Sequence, residues 1–208
     1  MNRRIGLFGG TFDPVHFGHL RPAVELVERY QLDILYLLPN HRPVHRGPTG
    51  ASTAQRIDML EMATVSAREL CVDAREAKRD KPSFTFDTLA EIRQEYPQAT
   101  LVFFMGLDAF AEFDTWHRWQ EILDLANLVV INRPDSAHSE FSSTLLHQRR
   151  QAMGDTISEG AGVIEQCDVT QLAISATDVR GRIASQRTVQ FLLPESVSEY
   201  IVQHRLYI

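Results

Sequence analysis

The sequence predicts an α/β fold, a doubly wound Rossmann-like parallel sheet covered by helices on both faces. Three observations carry that expectation. The strand-like stretches are unbroken apolar runs, as in sheets buried on both sides. They alternate with segments of helical hydrophobic period. They also stop at glycine or proline, as at Gly9-Gly10, Pro39 and Gly106. Right-handed crossovers then gather the strand C-termini at one edge, where such sheets bind ligands.

Taken in order, Ile5 to Phe8 is a buried strand halted by Gly9-Gly10. A helix follows from His16 or Phe17 to Tyr30, with Leu20, Val24 and Val27 on one face. Ile34 to Leu38 is the second strand, closed by Pro39 and followed by the polar loop NHRPVHRGPTGAS. Ser52 or Thr53 caps a helix predicted to reach about Leu70, with Ile57, Leu60, Ala63 and Ala67 in period. Cys71 to Asp73 is a weak strand, and the Pro82 segment leads into a helix ending near Tyr96, before Pro97.

Leu101 to Met105 is the clearest strand, and Trp119 to Leu125 a short helix. Leu128 to Ile131 is a further buried strand. Residues 133 to 166 are polar and irregular, with a helix near Leu145 to Met153. The last strand is expected at Val169 to Ile174, a helix from Ala176, and a final helix opened by Pro194. Without repeats or a linker, residues 1–208 are expected to form one domain, with 175–208 as its C-terminal helical part.

Composition narrows the function. Of 208 residues, 44% are hydrophobic and 23% charged, an ordinary globular mix. A formal net charge of -6 disfavours nucleic acid, so an anion site must come from a local cluster. Two cysteines without CxxC spacing read as free thiols. No apolar run approaches the ~20 residues of a membrane span, and MNRRIGLFGG is no signal peptide. A soluble cytoplasmic protein without membrane association is expected.

The stretch GGTFDPVHFGHL, residues 9 to 20, carries chemistry. Gly9 and Gly10 let a ligand approach the backbone, and Asp13-Pro14 makes a turn. The helix start that follows offers N–H groups and a positive dipole end to an anion. His16 and His19 share a face at i and i+3, and Gly18 leaves room between them. There is no GK[ST] of a P-loop and no GxGxxG. A zinc pair lacks HExxH spacing and a clear third ligand, so no metal site is assigned. The bland alternative, two surface histidines after a turn, does not explain the glycine pair at a strand end. LAISATDVRGRI, residues 172 to 183, repeats the logic. Ser175 is a natural N-cap with Asp178 three residues on, and Thr177 and Arg180 lie at the helix start beside a polyanion site. Arg182 reads as a solvated charge.

Together these stretches resemble the nucleotidyltransferase superfamily with the HxGH signature, here His16-Phe17-Gly18-His19. The wider pattern is most similar to bacterial nicotinate mononucleotide adenylyltransferases. GGTFDPVHFGHL, LLPNHRPVHR, KPSFTFDTL, GLDAFAEFDTWHRWQEIL and ISATDVRGRI carry the likeness, in that order and over nearly the whole chain. Phosphopantetheine adenylyltransferase shares the first and last motifs but does not account for FDTWHRW. The resemblance implies transfer of AMP from ATP to nicotinate mononucleotide, giving deamido-NAD and pyrophosphate, with Mg²⁺ accompanying ATP. It implies catalytic roles for His16, His19 and Arg180, and an ATP site of Gly9, Gly10, Thr11, Phe12, Gly18, Gly106, Asp108, Ser175 and Thr177 with those three. Backbone near Ile131 to Arg133 would flank adenine.

The acceptor side is expected from Asn40, His45 and Arg46 for its phosphate. Thr85, Trp116 and His117 would hold the pyridine ring, with Trp116 stacking. Asp114-Thr115 would cap a helix through Trp119 whose first N–H groups receive the ring carboxylate. Nicotinamide mononucleotide as acceptor, a sensor module on the same fold and a homo-oligomer remain alternatives at this stage.

Overall fold

The computed structural model describes residues 2–40, 49–79, 82–132, 139–149, 157 and 160–208. Strands β1 (Arg4–Gly10), β2 (Ile34–Pro39), β3 (Leu70–Val72), β4 (Thr100–Gly106), β5 (Asn127–Ile131) and β6 (Ile164–Cys167) form one six-stranded sheet in the order β3-β2-β1-β4-β5-β6. Every pairing is parallel. The strand ends are in register across the middle: Gly10 stands beside Pro39, and Gly106 beside Ile131. The order reverses between β1 and β4, and the crevice beyond their C-termini is where a doubly wound sheet takes a ligand.

Helices α1 (Phe17–Tyr30), α2 (Thr53–Thr64), α7 (Ala176–Ala184) and α8 (Glu195–Gln203) pack on one face. Helices α3 (Thr85–Glu95), α4 (Leu107–Ala111), α5 (Trp119–Leu125) and α6 (Glu140–Arg149) pack on the other. β4 shows why its run is continuously apolar. Val102 and Phe104 enter the first core, while Leu101, Phe103 and Met105 enter the second. Each such side chain contributes about 1.5–3 kcal/mol by burial.

Four expectations need correction. The last strand is Ile164–Cys167, not Val169 to Ile174. IEQC is a one-sided edge strand with only its ends apolar enough to signal, and it pairs Ile164 with Leu128 and Cys167 with Ile131. The backbone of the later stretch is committed elsewhere. Thr170 N–H donates to the Glu25 carboxylate at 2.7 Å, and Ile174 N–H to the Leu172 carbonyl at 2.7 Å. The second helix ends at Thr64 rather than near Leu70, because Ala67 and Leu70 close turns onto Thr64 and Ala67. Leu70 is then taken by the sheet, opposite Leu35.

The helix placed near Leu145 to Met153 begins earlier, at Glu140, and Met153 lies outside the described residues. The helix expected to begin at Asp114-Thr115 is split. A 3-10 turn covers Phe113–Thr115, and α5 starts only at Trp119 after Arg118 in a left-handed conformation (φ 55°). α1 and α5 have the expected spans, and α7 and α8 begin where expected, at Ala176 and after Pro194.

Both cysteines are free, Cys71 half-buried and Cys167 buried. Burial pushes the Cys167 thiol up to about 11. Among the described residues no helix is long and apolar enough to cross a membrane.

Candidate active site

A cleft of about 1760 Å³ opens at the C-terminal edge of the sheet, along the ends of β1 and β4. Its first wall is the segment between β1 and α1. His16 is the extended N-cap of α1 and is buried at 3% exposure, while His19 sits one turn on, half-buried. Their rings stack at 3.8 Å between centroids and 25° between planes, and Phe12 meets His19 edge-on at 5.1 Å. The i, i+3 spacing therefore gives a layered pair of imidazoles. The helix start itself is partly spoken for. Phe17 N–H donates to the Leu192 carbonyl at 3.0 Å, and His19 N–H to the His16 carbonyl at 2.8 Å.

Gly18 joins the two motifs. A Cβ there would stand 2.9 Å from the His16 ring and 3.0 Å from the Ile174 carbonyl. The room left at Gly18 is filled by protein, not by ligand. The same holds at Gly10, where the Phe12 ring would lie 2.7 Å from a Cβ. Gly9 has only ordinary contacts, with Asn40 and Phe103 at 3.9 and 4.0 Å, and lines the cleft. Phe12 holds φ 49° in this loop.

The late motif forms the adjoining wall. Ser175 caps α7, its hydroxyl accepting from Asp178 N–H at 3.1 Å. The Asp178 carboxylate turns to Arg182 at 2.8 Å, so the acidic residue is paired away. Arg180 spans the gap to the first motif. One of its nitrogens donates to the Asp13 carbonyl at 2.6 Å, and the other reaches the Thr177 hydroxyl at 3.3 Å. His16, Gly18, His19, Ser175, Thr177 and Arg180 thus share one cleft, with Gly9, Gly10, Thr11 and Phe12 beside them. Gly106, the N-cap of α4, and Asp108 in its first turn line the floor.

The far end of the cleft carries Asn40, Thr85, Trp116 and His117. Trp116 is half-buried, braced edge-on by Phe103 at 6.2 Å and Phe113 at 5.6 Å, so it packs the core and faces the cleft at once. Of the N–H groups near Trp116 and His117 expected to receive a carboxylate, that of Trp116 already donates to the Phe113 carbonyl at 3.1 Å. The His117 ring lies 4.5 Å from Phe84. His45 and Arg46 lie outside the described residues, as does Arg133. Ile131 ends β5, and Asn132 beside it is bonded to Asp168 and Gln166.

Three residues at this site have no counterpart in the sequence reading. Arg56, fully buried, donates to the carbonyls of Thr11 at 2.6 Å and Asn40 at 2.7 Å and to the Thr53 hydroxyl at 3.1 Å. Its signal was available, since Arg56, Met59, Leu60 and Thr64 form a helical stripe, offset from the one built on Ile57. Glu76 is buried in the cleft wall, where desolvation raises its pKa and the Thr88 hydroxyl donates to it at 2.9 Å. Tyr207, near the end of the sequence, donates to the Asp13 carboxylate at 2.8 Å. No local pattern announces that bond.

The two motifs meet at Gly18, over the switch point of the parallel sheet. Residues 7–182 match the cytidylyltransferase-like family. A "Probable nicotinate-nucleotide adenylyltransferase" of Pseudomonas aeruginosa is 47% identical over 210 aligned residues, covering all of this chain and 98% of the relative. The protein of the same name from Cellvibrio japonicus is also 47% identical, covering both chains completely. In fold, the chain is similar to the Plasmodium falciparum nicotinic acid mononucleotide adenylyltransferase complexed with NaAD. That likeness has TM-score 0.76 at 13% identity, over 99% of this chain and 98% of the other. The chain belongs to the cytidylyltransferase-like family and, within it, to the nicotinate-nucleotide adenylyltransferases.

Proposed function

We propose that the cleft brings Mg²⁺-ATP and nicotinate mononucleotide together and transfers AMP to the acceptor phosphate. The single observation that carries this is the layered His16–His19 pair, joined at Gly18 to the Arg180 wall and continuous with the Trp116 end. An acceptor phosphate oxygen attacks the α-phosphorus of ATP. A new P–O–P bridge forms, the α–β bond breaks, and pyrophosphate leaves with the electron pair. The acceptor is already ionised at neutral pH, so the reaction needs no base and no nucleophilic side chain. Catalysis is then positioning and charge stabilisation.

In this reading His16 and His19 donate to the ATP phosphates, aided by backbone at Thr11 and Phe12 and by Gly9, Gly10 and Gly18. Ser175, Thr177 and Arg180 hold the β/γ end. Gly106 and Asp108 serve the ribose, and Asp108 carries the polar contact. Asn40 reaches the acceptor phosphate with His45 and Arg46, while Thr85, Trp116 and His117 enclose the pyridine. Among the described residues no group of three His, Cys, Asp or Glu side chains is placed to hold a metal. The Mg²⁺ is assigned to the nucleotide, whose charge it neutralises. A cytoplasmic setting completes the proposal.

The test is pyrophosphate release from Mg²⁺-ATP with nicotinate mononucleotide, nicotinamide mononucleotide and phosphopantetheine in parallel. A strong preference for the first is expected. Turnover with phosphopantetheine alone would overturn the acceptor, and ATP binding without turnover on any would favour a nucleotide sensor. Purified His19→Ala is expected to lose at least ~100-fold in kcat, the scale of one lost transition-state donor. Wild-type turnover would remove His19 from the mechanism.

A further inference from the structure

Asp13 borders the cleft, is buried at 4% exposure, and its carboxylate is crowded with donors. One oxygen accepts from Gly50 N–H at 2.8 Å, the other from Ala51 N–H at 3.1 Å and the Tyr207 hydroxyl at 2.8 Å. The Arg180 guanidinium stops short of it, 3.8 Å from the nearer oxygen, and donates instead to the Asp13 backbone carbonyl. Arg56 is the other neighbouring cation, but three bonds fix it to loop atoms.

Tyr207 reaches this position at a backbone cost. It holds φ 64°, and Arg205 before it φ 51°, a region where side chains other than glycine are uncommon. Its ring lies where a Cβ on Gly50 would stand, 2.7 Å from the nearest ring carbon. Burial and the adjacent carboxylate push the phenol pKa up, so the hydroxyl stays protonated and donates.

We propose that Tyr207 is a positioning residue for the reaction: by occupying the Asp13 carboxylate it leaves the Arg180 guanidinium turned to the cleft and available to the ATP triphosphate. The inference rests on the ATP-site reading above. A desolvated carboxylate oxygen stripped of a donor seeks another. Arg180 is the cation already within 4 Å and only partly bonded. Without the hydroxyl it swings onto Asp13, and the triphosphate loses it. The acceptor end of the cleft is not touched by this exchange.

The experiment compares wild type and Tyr207→Phe in two ways: steady-state kinetics with each substrate varied, and titration with non-hydrolysable α,β-methylene-ATP. The expected result is a KM for ATP about tenfold higher and binding of the analogue about tenfold weaker, the effect of ~1.4 kcal/mol. The KM for nicotinate mononucleotide stays within about twofold. Unchanged ATP affinity, or both KM values rising together alongside a lowered melting temperature, overturns the proposal in favour of a purely structural bond. Should Tyr207→Phe fail to fold, Gly50→Ala replaces it, since its Cβ displaces the ring while both Asp13 and the hydroxyl remain; the same split is expected. A wild type without turnover on nicotinate mononucleotide sinks the proposed reaction instead, and the ATP titration still decides the role of Tyr207.

Discussion

Gly18 is glycine because two motifs 156 positions apart meet at its Cα, as the spacing of Gly18 and Ile174 shows. The His16 ring on one side and the Ile174 carbonyl on the other leave no volume for a methyl group. Trp116 shows the opposite economy, one side chain serving both core and cleft. Two aromatic neighbours hold it edge-on, so the face toward the cleft is fixed before any ligand arrives. Trp116→Ala is therefore expected to raise the KM for nicotinate mononucleotide about tenfold, as for a lost stacking contact of ~1–1.5 kcal/mol. The KM for ATP should change far less, as steady-state kinetics with each substrate varied will read. Equal rises in both would assign the ring to packing alone.

At the scale of elements, the loop after β2 returns to the fold through a capping box. Ser52 accepts from Gln55 N–H, and the Gln55 side chain accepts from Ser52 N–H at 2.9 Å. This fixes where α2 begins and hence where Arg56 enters the protein, one turn later. Ser52→Ala is expected to cost about 1 kcal/mol and lower the melting temperature by about 2–4 °C, measured by calorimetry. β6 makes a different point. An edge strand hydrogen-bonds on one side only, so IEQC needs no continuous apolar run. The more apolar Val169 to Ile174 stretch instead supplies part of the cleft wall, from Gln171 to Ile174.

Across the whole molecule, Arg56 ties the ends of two neighbouring strands together. It clamps Thr11, after β1, to Asn40, after β2, at the proposed ATP and acceptor ends of the cleft. Burial pulls its pKa down, while Asp13 and Tyr207 oppose that shift. Arg56→Met leaves two partly buried carbonyls without their donor, at about 1–3 kcal/mol each. The expected outcome is a loss of about 3 kcal/mol in denaturant unfolding, with the KM values of both substrates rising together. Tyr207→Phe and Trp116→Ala should each act on one substrate. A selective effect of Arg56→Met would show that the two loops are positioned independently.

The sequence by itself determined the sheet type, the strand edge that carries the site, and the two motifs that flank it. Those signals are local: apolar runs, helical period, and glycine or proline at strand ends. It also marked His16, His19, Ser175, Thr177 and Arg180 as neighbours, and these share one cleft, although Ser175 follows an irregular stretch and not the strand expected there. Only the tertiary structure decided what fills the space at Gly10 and Gly18, where the last strand lies, and which side chains support the site. Arg56, Asp13 and Tyr207 come from three distant parts of the chain, and their bonds form only when α2 and the final turn after α8 close over the same loop. A buried charge must find its partners wherever the fold brings them, and sequence spacing carries no record of that meeting.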